Sequence, residues 1–295
     1  MTEITKPRTK AQAKVTVSRI FDSDVIFNIF GMTLLIFATF VSLYPIFWMV
    51  MGSFKTNQEL FLQTLALPQQ FDFSIFPYVW DRANFSTAFI NSILIVIGRN
   101  ITVLIPASMA AFALARINFF GVKAVTAILA ATIVVSGHVI LIPLFFVVID
   151  LGIYNTLWAP IFAGSAIDMP ISILLFTTFF REVPYDIEES TMLDGCSKVG
   201  FFFRFIIPLS KPIVATIVIF VSLWSWNEYL YALTFLQEDS VRTIPLQLQN
   251  FRGRFAIEYD AIFASLTLAI IPLIALYVCM QRSFVKGLTA GALKM

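Results

Sequence analysis

A chain of 295 residues that is 59% hydrophobic and 13% charged, with a mean hydropathy of +0.86, cannot clothe a water-soluble globule in polar side chains. The net charge of +2 says little, and the basic residues are dispersed at the edges of apolar runs, which leaves nucleic acid no footprint. Two cysteines (Cys196 and Cys279) and one histidine (His138) give no disulfide framework and no metal site.

In chain order, residues 1–24 form a polar, basic tail carrying Lys6, Arg8, Lys10, Lys14 and Arg19. The apolar run behind it is too long for a cleavable signal. No charge occurs between Asp24 and Lys55, room for a first span of about 20 residues or more. Residues 55–89, punctuated by proline and containing Trp80, Asp81 and Arg82, read as an outer loop. A second span runs from about Phe89 to Ala115 and holds Arg99; a turn at 116–123 leads to a third that ends before Asp150. The fourth lies between Tyr154 and Phe180 and holds Asp168. After the segment 184–212 come a fifth, Ile213 to Phe235, a polar loop at 237–260, and a sixth, Ala261 to Met280. Residues 281–295 are a tail. The expected fold is therefore all-α and membrane-integral, with six transmembrane helices over residues 25–280.

Orientation follows from lysine and arginine. Six spans put the N-terminal tail, the 116–123 turn, the 184–212 segment with Arg181 just ahead of it, and the C-terminal tail on one side, and these hold 14 of the 20 basic residues. Both termini should face the cytoplasm.

The segment 184–212 is charged where its neighbours are not. Pro184, Asp186, Glu188 and Glu189 suit a helix start, Gly195 a left-handed stop, and Ser197 the N-cap of a second helix. That helix would carry Phe201, Phe202, Phe203, Phe205 and Ile206 until Pro208 blocks it. Helix, elbow and helix make a lever at the membrane surface.

Charge inside the spans needs a partner or a water-filled cavity, since a lone charge at the bilayer centre costs about 2.5–3.5 kcal/mol. Arg99 lies ten residues into span two, about 15 Å, and Asp168 at similar depth in span four. We expect these two to pair within the bundle. Trp224, Trp226, Asn227, Glu228 and Tyr229 would line a ligand path through the spans, offering stacking faces and hydrogen-bonding groups. His138 reads as a packed residue at a helix break. In the outer loop, Gln249, Asn250, Arg252 and Arg254, flanked by Phe251 and Phe255, suit a polyhydroxylated ligand or a protein that holds one. No glycine is followed by lysine, so the chain has no phosphate-binding Walker loop, and no nucleophile–base set can be built on one histidine.

Two motifs carry a resemblance. Glu189-Ser190-Thr191, three residues, Gly195, nine residues and Phe205-Ile206-Ile207-Pro208 resembles the EAA coupling loop of bacterial ABC importer permeases, with serine and threonine replacing the two alanines. Phe284 to Lys294, with Gly287-Leu288-Thr289-Ala290-Gly291, is similar to the ending of the second permease of maltose-type carbohydrate importers. Leu151 to Thr156 and Leu223 to Tyr229 add to it, and together these cover most of the chain from about residue 90. The resemblance implies a type I permease fold in a bacterial inner membrane, working as a heterodimer with a second permease. It also implies two ATPase subunits that use ATP and Mg, an extracytoplasmic sugar-binding protein, a carbohydrate substrate, and no cofactor or catalysis on this chain. Glu189, Gly195, Ser197, Phe202, Pro208, Lys286, Thr289 and Gly291 would contact the ATPase. The loop 237–260 would meet the binding protein. The alternative is an ion-coupled secondary transporter using Arg99, Asp168 and Glu228.

Overall fold

The computed structural model describes residues 23–251 and 257–292, whose helices and turns form an all-helical set of elements. The N-terminal tail up to residue 22 lies outside them. Among the described residues, four helices are long and apolar enough to cross a membrane: α1 (Ser23–Gly52), α4 (Phe85–Arg116), α7 (Trp158–Glu182) and α14 (Tyr259–Ala292). The backbone of α14 continues as helix through the expected tail as far as Ala292.

The second span begins at Phe85, four residues before its expected start. The outer segment ahead of it is folded rather than a plain loop, with α2 (Asn57–Leu62) and α3 (Ile75–Arg82). Thr56 and Glu59 cap α2 reciprocally, and the backbone N–H of Thr56 holds the Glu59 carboxyl below its usual range. Phe54 sits among Phe71, Phe73 and Phe76 at centroid distances of 5.1–5.7 Å. Lys55 is buried, and its ammonium donates to the carbonyls of Gln63 and Thr64 at 3.0 Å each. On α3, Tyr78 donates to Glu258 at 2.8 Å, which raises its phenol above the ordinary range.

The expected third span is not one helix. It divides into α5 (Val122–Thr132) and α6 (Leu141–Asp150), separated by eight non-helical residues, 133–140. The run Ile133 to Ile142 is apolar apart from Ser136, Gly137 and His138, where the sequence suggests a helix break but not one of this length.

The fifth region bends as well. After α8 (Tyr185–Leu193), the chain passes through α9 (Lys198–Phe201), a π-turn at Phe202–Ile206 and α10 (Ile207–Leu209), then α11 (Lys211–Trp226), turning by 72° at Ser210. Pro208 has no N–H to give back to the preceding turn, and Ile207 instead reaches Phe202 O across the wider turn. Counted as one span, this bent pair makes a fifth. The short helices α12 (Leu230–Phe235) and α13 (Ile244–Gln247) follow.

The centre of the bundle is α4 packed along α7. Gly98 admits Ile161, whose Cδ1 would stand 2.6 Å from any added Cβ, and Thr102 and Ser165 share a 2.6 Å hydroxyl contact. Ala107, Ala111 and Ala163 are buried nearby, so backbones approach closely, as expected where both helices face lipid elsewhere and burial alone cannot drive association. α11 joins through Asn100 to Ser222 (3.0 Å), and α14 joins α11 through Trp226. By contrast, α1 meets the rest near its C-terminal end, where Trp48 and Gly52 pack on Phe263. From Phe27 to Phe47 its apolar side chains are largely exposed.

Candidate functional site

Two chain breaks face one another across a cavity of about 920 Å³. One is the 133–140 interruption between α5 and α6; the other is Asn227–Tyr229 between α11 and α12. Irregular backbone at membrane depth is tolerated where it lines a cavity, which is the situation of both. Ser136, Gly137 and His138 come from the first break, Asn227 and Glu228 from the second, Leu223 and Trp224 from the end of α11, and Arg99 and Asp168 from the α4–α7 wall.

Arg99 and Asp168 meet. Arg99 Nε donates to Asp168 Oδ2 at 2.6 Å, with both side chains almost fully buried. Gly164 makes the pairing possible: the guanidinium lies across its Cα, with Nε 2.6 Å from where a Cβ would stand. Glu228 borders the cavity, but each carboxylate oxygen already accepts a backbone N–H, Tyr231 at 2.8 Å and Ala232 at 3.1 Å. It therefore also caps the start of α12.

The aromatic run divides. Trp224 is half-exposed on the cavity side, with Asn227 one turn further along the same face. Trp226, expected on the path, is instead buried. Its Nε1 donates to Ala269 O at 3.1 Å, and its ring stands edge-on to Phe89 at 5.9 Å. Two helical residues span about 200°, so Trp224 and Trp226 point to opposite sides. Tyr229, also expected there, packs with Ile95, Ile161 and Leu246, away from the cavity. His138, read as a packed residue, is exposed at the break, lines the cavity and shares a 3.0 Å contact with Ser136 Oγ. Tyr231 was not foreseen at all; its hydroxyl lies against Gly137, closing that corner.

The lever has the expected shape. Gly195 has φ of +82°, Gly195 N–H bonds to Met192 O and Cys196 N–H to Thr191 O, both at 3.0 Å. That is a Schellman stop to α8. Ser197 Oγ accepts from Gly200 N–H at 3.1 Å and starts α9. Glu189 is exposed on α8. Phe202, expected at an ATPase contact, is buried against Phe112 at 5.1 Å and holds the lever to α4 from within. Pro208 stands just ahead of the 72° bend.

Arg116 and Glu188 were read only as an inside marker and a helix-start acid. Arg116 closes α4 with its side chain fully buried. It pairs with Glu188 at 3.4 Å, donates to the carbonyls of Phe180 and Val183, and lies 4.3 Å from the Tyr185 ring centroid. No local periodicity links positions so far apart in sequence.

The outer segment 237–251 is a folded cap. Asn91 donates to the carbonyls of Ser240 and Arg242 at 2.9 and 3.0 Å, and Ser92 accepts from Ile244 N–H at 3.1 Å. Gln249 and Asn250 are exposed, whereas Phe251, expected at a protein contact, is wholly buried with Val79, Phe85 and Trp226. An apolar ring beside a core gap is drawn inward, while the neighbouring amides stay hydrated. Arg252 and Arg254 lie outside the described residues, and of Lys286, Thr289 and Gly291 only the helical backbone is described.

Comparison with known proteins agrees with this arrangement. Residues 103–290 match the family described as the binding-protein-dependent transport system inner membrane component. The chain is 33% identical over 228 residues to the melibiose/raffinose/stachyose import permease protein MelC of Bacillus subtilis, covering 77% of this chain and 83% of that protein. It is 32% identical over 264 residues to the sulfoquinovosyl glycerol transport system permease protein SmoH of Agrobacterium fabrum, covering 85% and 89%. The crystal structure of a bacterial ABC transporter involved in import of the acidic polysaccharide alginate superposes with a TM-score of 0.75 at 26% identity, covering 89% of this chain and 98% of that one. On this match and this likeness of fold, the chain belongs to the inner membrane component family of binding-protein-dependent transport systems.

Proposed function

We propose that this chain is one of two permease subunits of an ATP-driven importer of a sugar or oligosaccharide, with the cavity between the two breaks as its half of the path. The observation that carries the reading is the cavity wall. Trp224 gives an aromatic face, and Asn227, His138, Ser136 and Glu228 give mixed donors and acceptors, a combination suited to the apolar faces and hydroxyls of a sugar ring. The saccharides named for MelC and for the alginate transporter point to the same class. ATP hydrolysis lies on separate subunits.

In this reading the protein crosses the membrane six times, with α5 and α6 as one broken span and both termini in the cytoplasm. The lever 184–212 takes up movement of the ATPase through Glu189, the Gly195 elbow and Ser197, with Lys286, Thr289 and Gly291 as a second contact. ATP and Mg bind on two ATPase subunits. Gln249 and Asn250 on the outer cap face the sugar-binding protein. The ion-coupled alternative loses its ground in the geometry: Arg99 and Asp168 neutralise one another in a buried pair, and Glu228 is bound to backbone.

Alanine at Trp224 or Asn227 removes a stacking face or an amide from the path. We expect uptake in reconstituted vesicles to fall about tenfold, equivalent to about 1.4 kcal/mol of lost interaction, with complex assembly preserved. Uptake at the wild-type rate in both variants would take these residues off the path.

A further inference from the structure

We propose that Arg116 is the joint through which movement of the lever reaches the cavity, a positioning role that rests on the importer reading above. Its guanidinium grips three things at once: the last carbonyls of α7 at Phe180 and Val183, the carboxylate of Glu188 on α8, and the face of Tyr185. Tyr185 adds a return contact, its hydroxyl donating to Ala115 O at 3.3 Å. The planar fork makes all of these from one buried side chain; an ammonium has neither the stacking face nor the spread of donors.

Pulling α8 away would strand a buried charge, so α8 travels with the ends of α4 and α7 rather than sliding past them. Those same two helices carry Arg99 and Asp168 on the cavity wall. The other limb of the lever differs. Among the described residues, no ion pair ties α9 or α10 to the spans; they are held by phenylalanine packing and lead into α11 through the π-turn and the 72° bend. The lever therefore has a stiff side and a compliant side. The neighbouring glutamates divide the work: Glu188 points inward to the joint, and Glu189 is exposed.

Amide hydrogen exchange on the complex of both permeases with the ATPase, with and without Mg-ATP, tests this. Without nucleotide, Arg116→Lys should speed exchange in residues 185–193 by about tenfold and leave 211–226 unchanged; Glu188→Gln should give a smaller rise. On adding Mg-ATP, the wild type should change exchange both in 185–193 and around residues 96–102 and 166–170. In Arg116→Lys only the lever should respond. Equal exchange in 185–193, an equal rise in 211–226, or a cavity response that survives in Arg116→Lys would each overturn the joint. A wild-type complex whose lever ignores Mg-ATP would count against the importer reading instead, and the nucleotide-free comparison would still decide the joint.

Discussion

Gly164→Ala should cost this protein a large fraction of its stability and all of its transport. The added methyl would occupy the space of the Arg99 guanidinium, overlapping Cζ and Nη1 and standing 2.6 Å from Nε. A guanidinium at the end of a flexible stem could usually swing aside. Here that swing removes it from Asp168 and leaves both charges buried and unpaired, at a cost of about 3–5 kcal/mol. Against a total of about 5–15 kcal/mol this is a large fraction. Thermal unfolding of the detergent-solubilised protein should shift sharply downward, and uptake should vanish. A control separates packing from transport: Arg99→Met combined with Asp168→Leu removes both charges at similar volume. Such replacements are often neutral, so this double variant should melt close to wild type. If Gly164→Ala alone melts and transports as wild type, the account of this contact is wrong.

Gly195→Val should disconnect the lever while sparing the bundle. Gly195 has φ of +82°, and nothing lies within 4 Å of where its Cβ would be, so the penalty is one of backbone and not of collision. A β-branched residue resists that conformation by about 1–2 kcal/mol or more, and relaxing it would break the two Schellman hydrogen bonds that set the angle between α8 and α9. We expect loss of ATPase co-purification and of uptake, with the spans still inserted. Gly195→Asn is the informative companion, because asparagine tolerates the left-handed region, and it should keep much of the activity. Val behaving like Asn would show that the elbow is not set by this residue's conformation.

The sequence exposed some of this architecture and hid the rest for identifiable reasons. Apolar runs revealed α1, α4, α7 and α14 because length and hydropathy are local properties. Arg99 and Asp168 were visible because charge at matched depth demands a partner. The division of the third span was legible only in part: Ser136, Gly137 and His138 mark a break in the otherwise apolar run 133–142, but not that it extends over eight residues. Within the Trp-Ser-Trp-Asn-Glu run, chemistry was legible but direction was not. Helical spacing from Trp224 turns Trp226 to the opposite side, a step that requires knowing that α11 reaches Trp226 before the chain breaks at Asn227. Phe202 and Phe251 illustrate the opposite error. Both stand in functional-looking neighbourhoods, and both are drawn into the core by their own apolarity. Arg116 and Glu188 were hidden by their separation along the chain.

The solitary first helix has an evolutionary corollary. Residues 27–43 of α1 give almost nothing to this chain's own packing, so swapping Leu34, Leu35 or Phe37 for another large apolar residue leaves the remaining bundle indifferent. Selection on these positions must act from outside the polypeptide, through lipid or an adjoining chain. The first 50 residues should therefore drift more quickly among relatives than α4 or α7, where a single added methyl at Gly164 or Gly98 meets a neighbour.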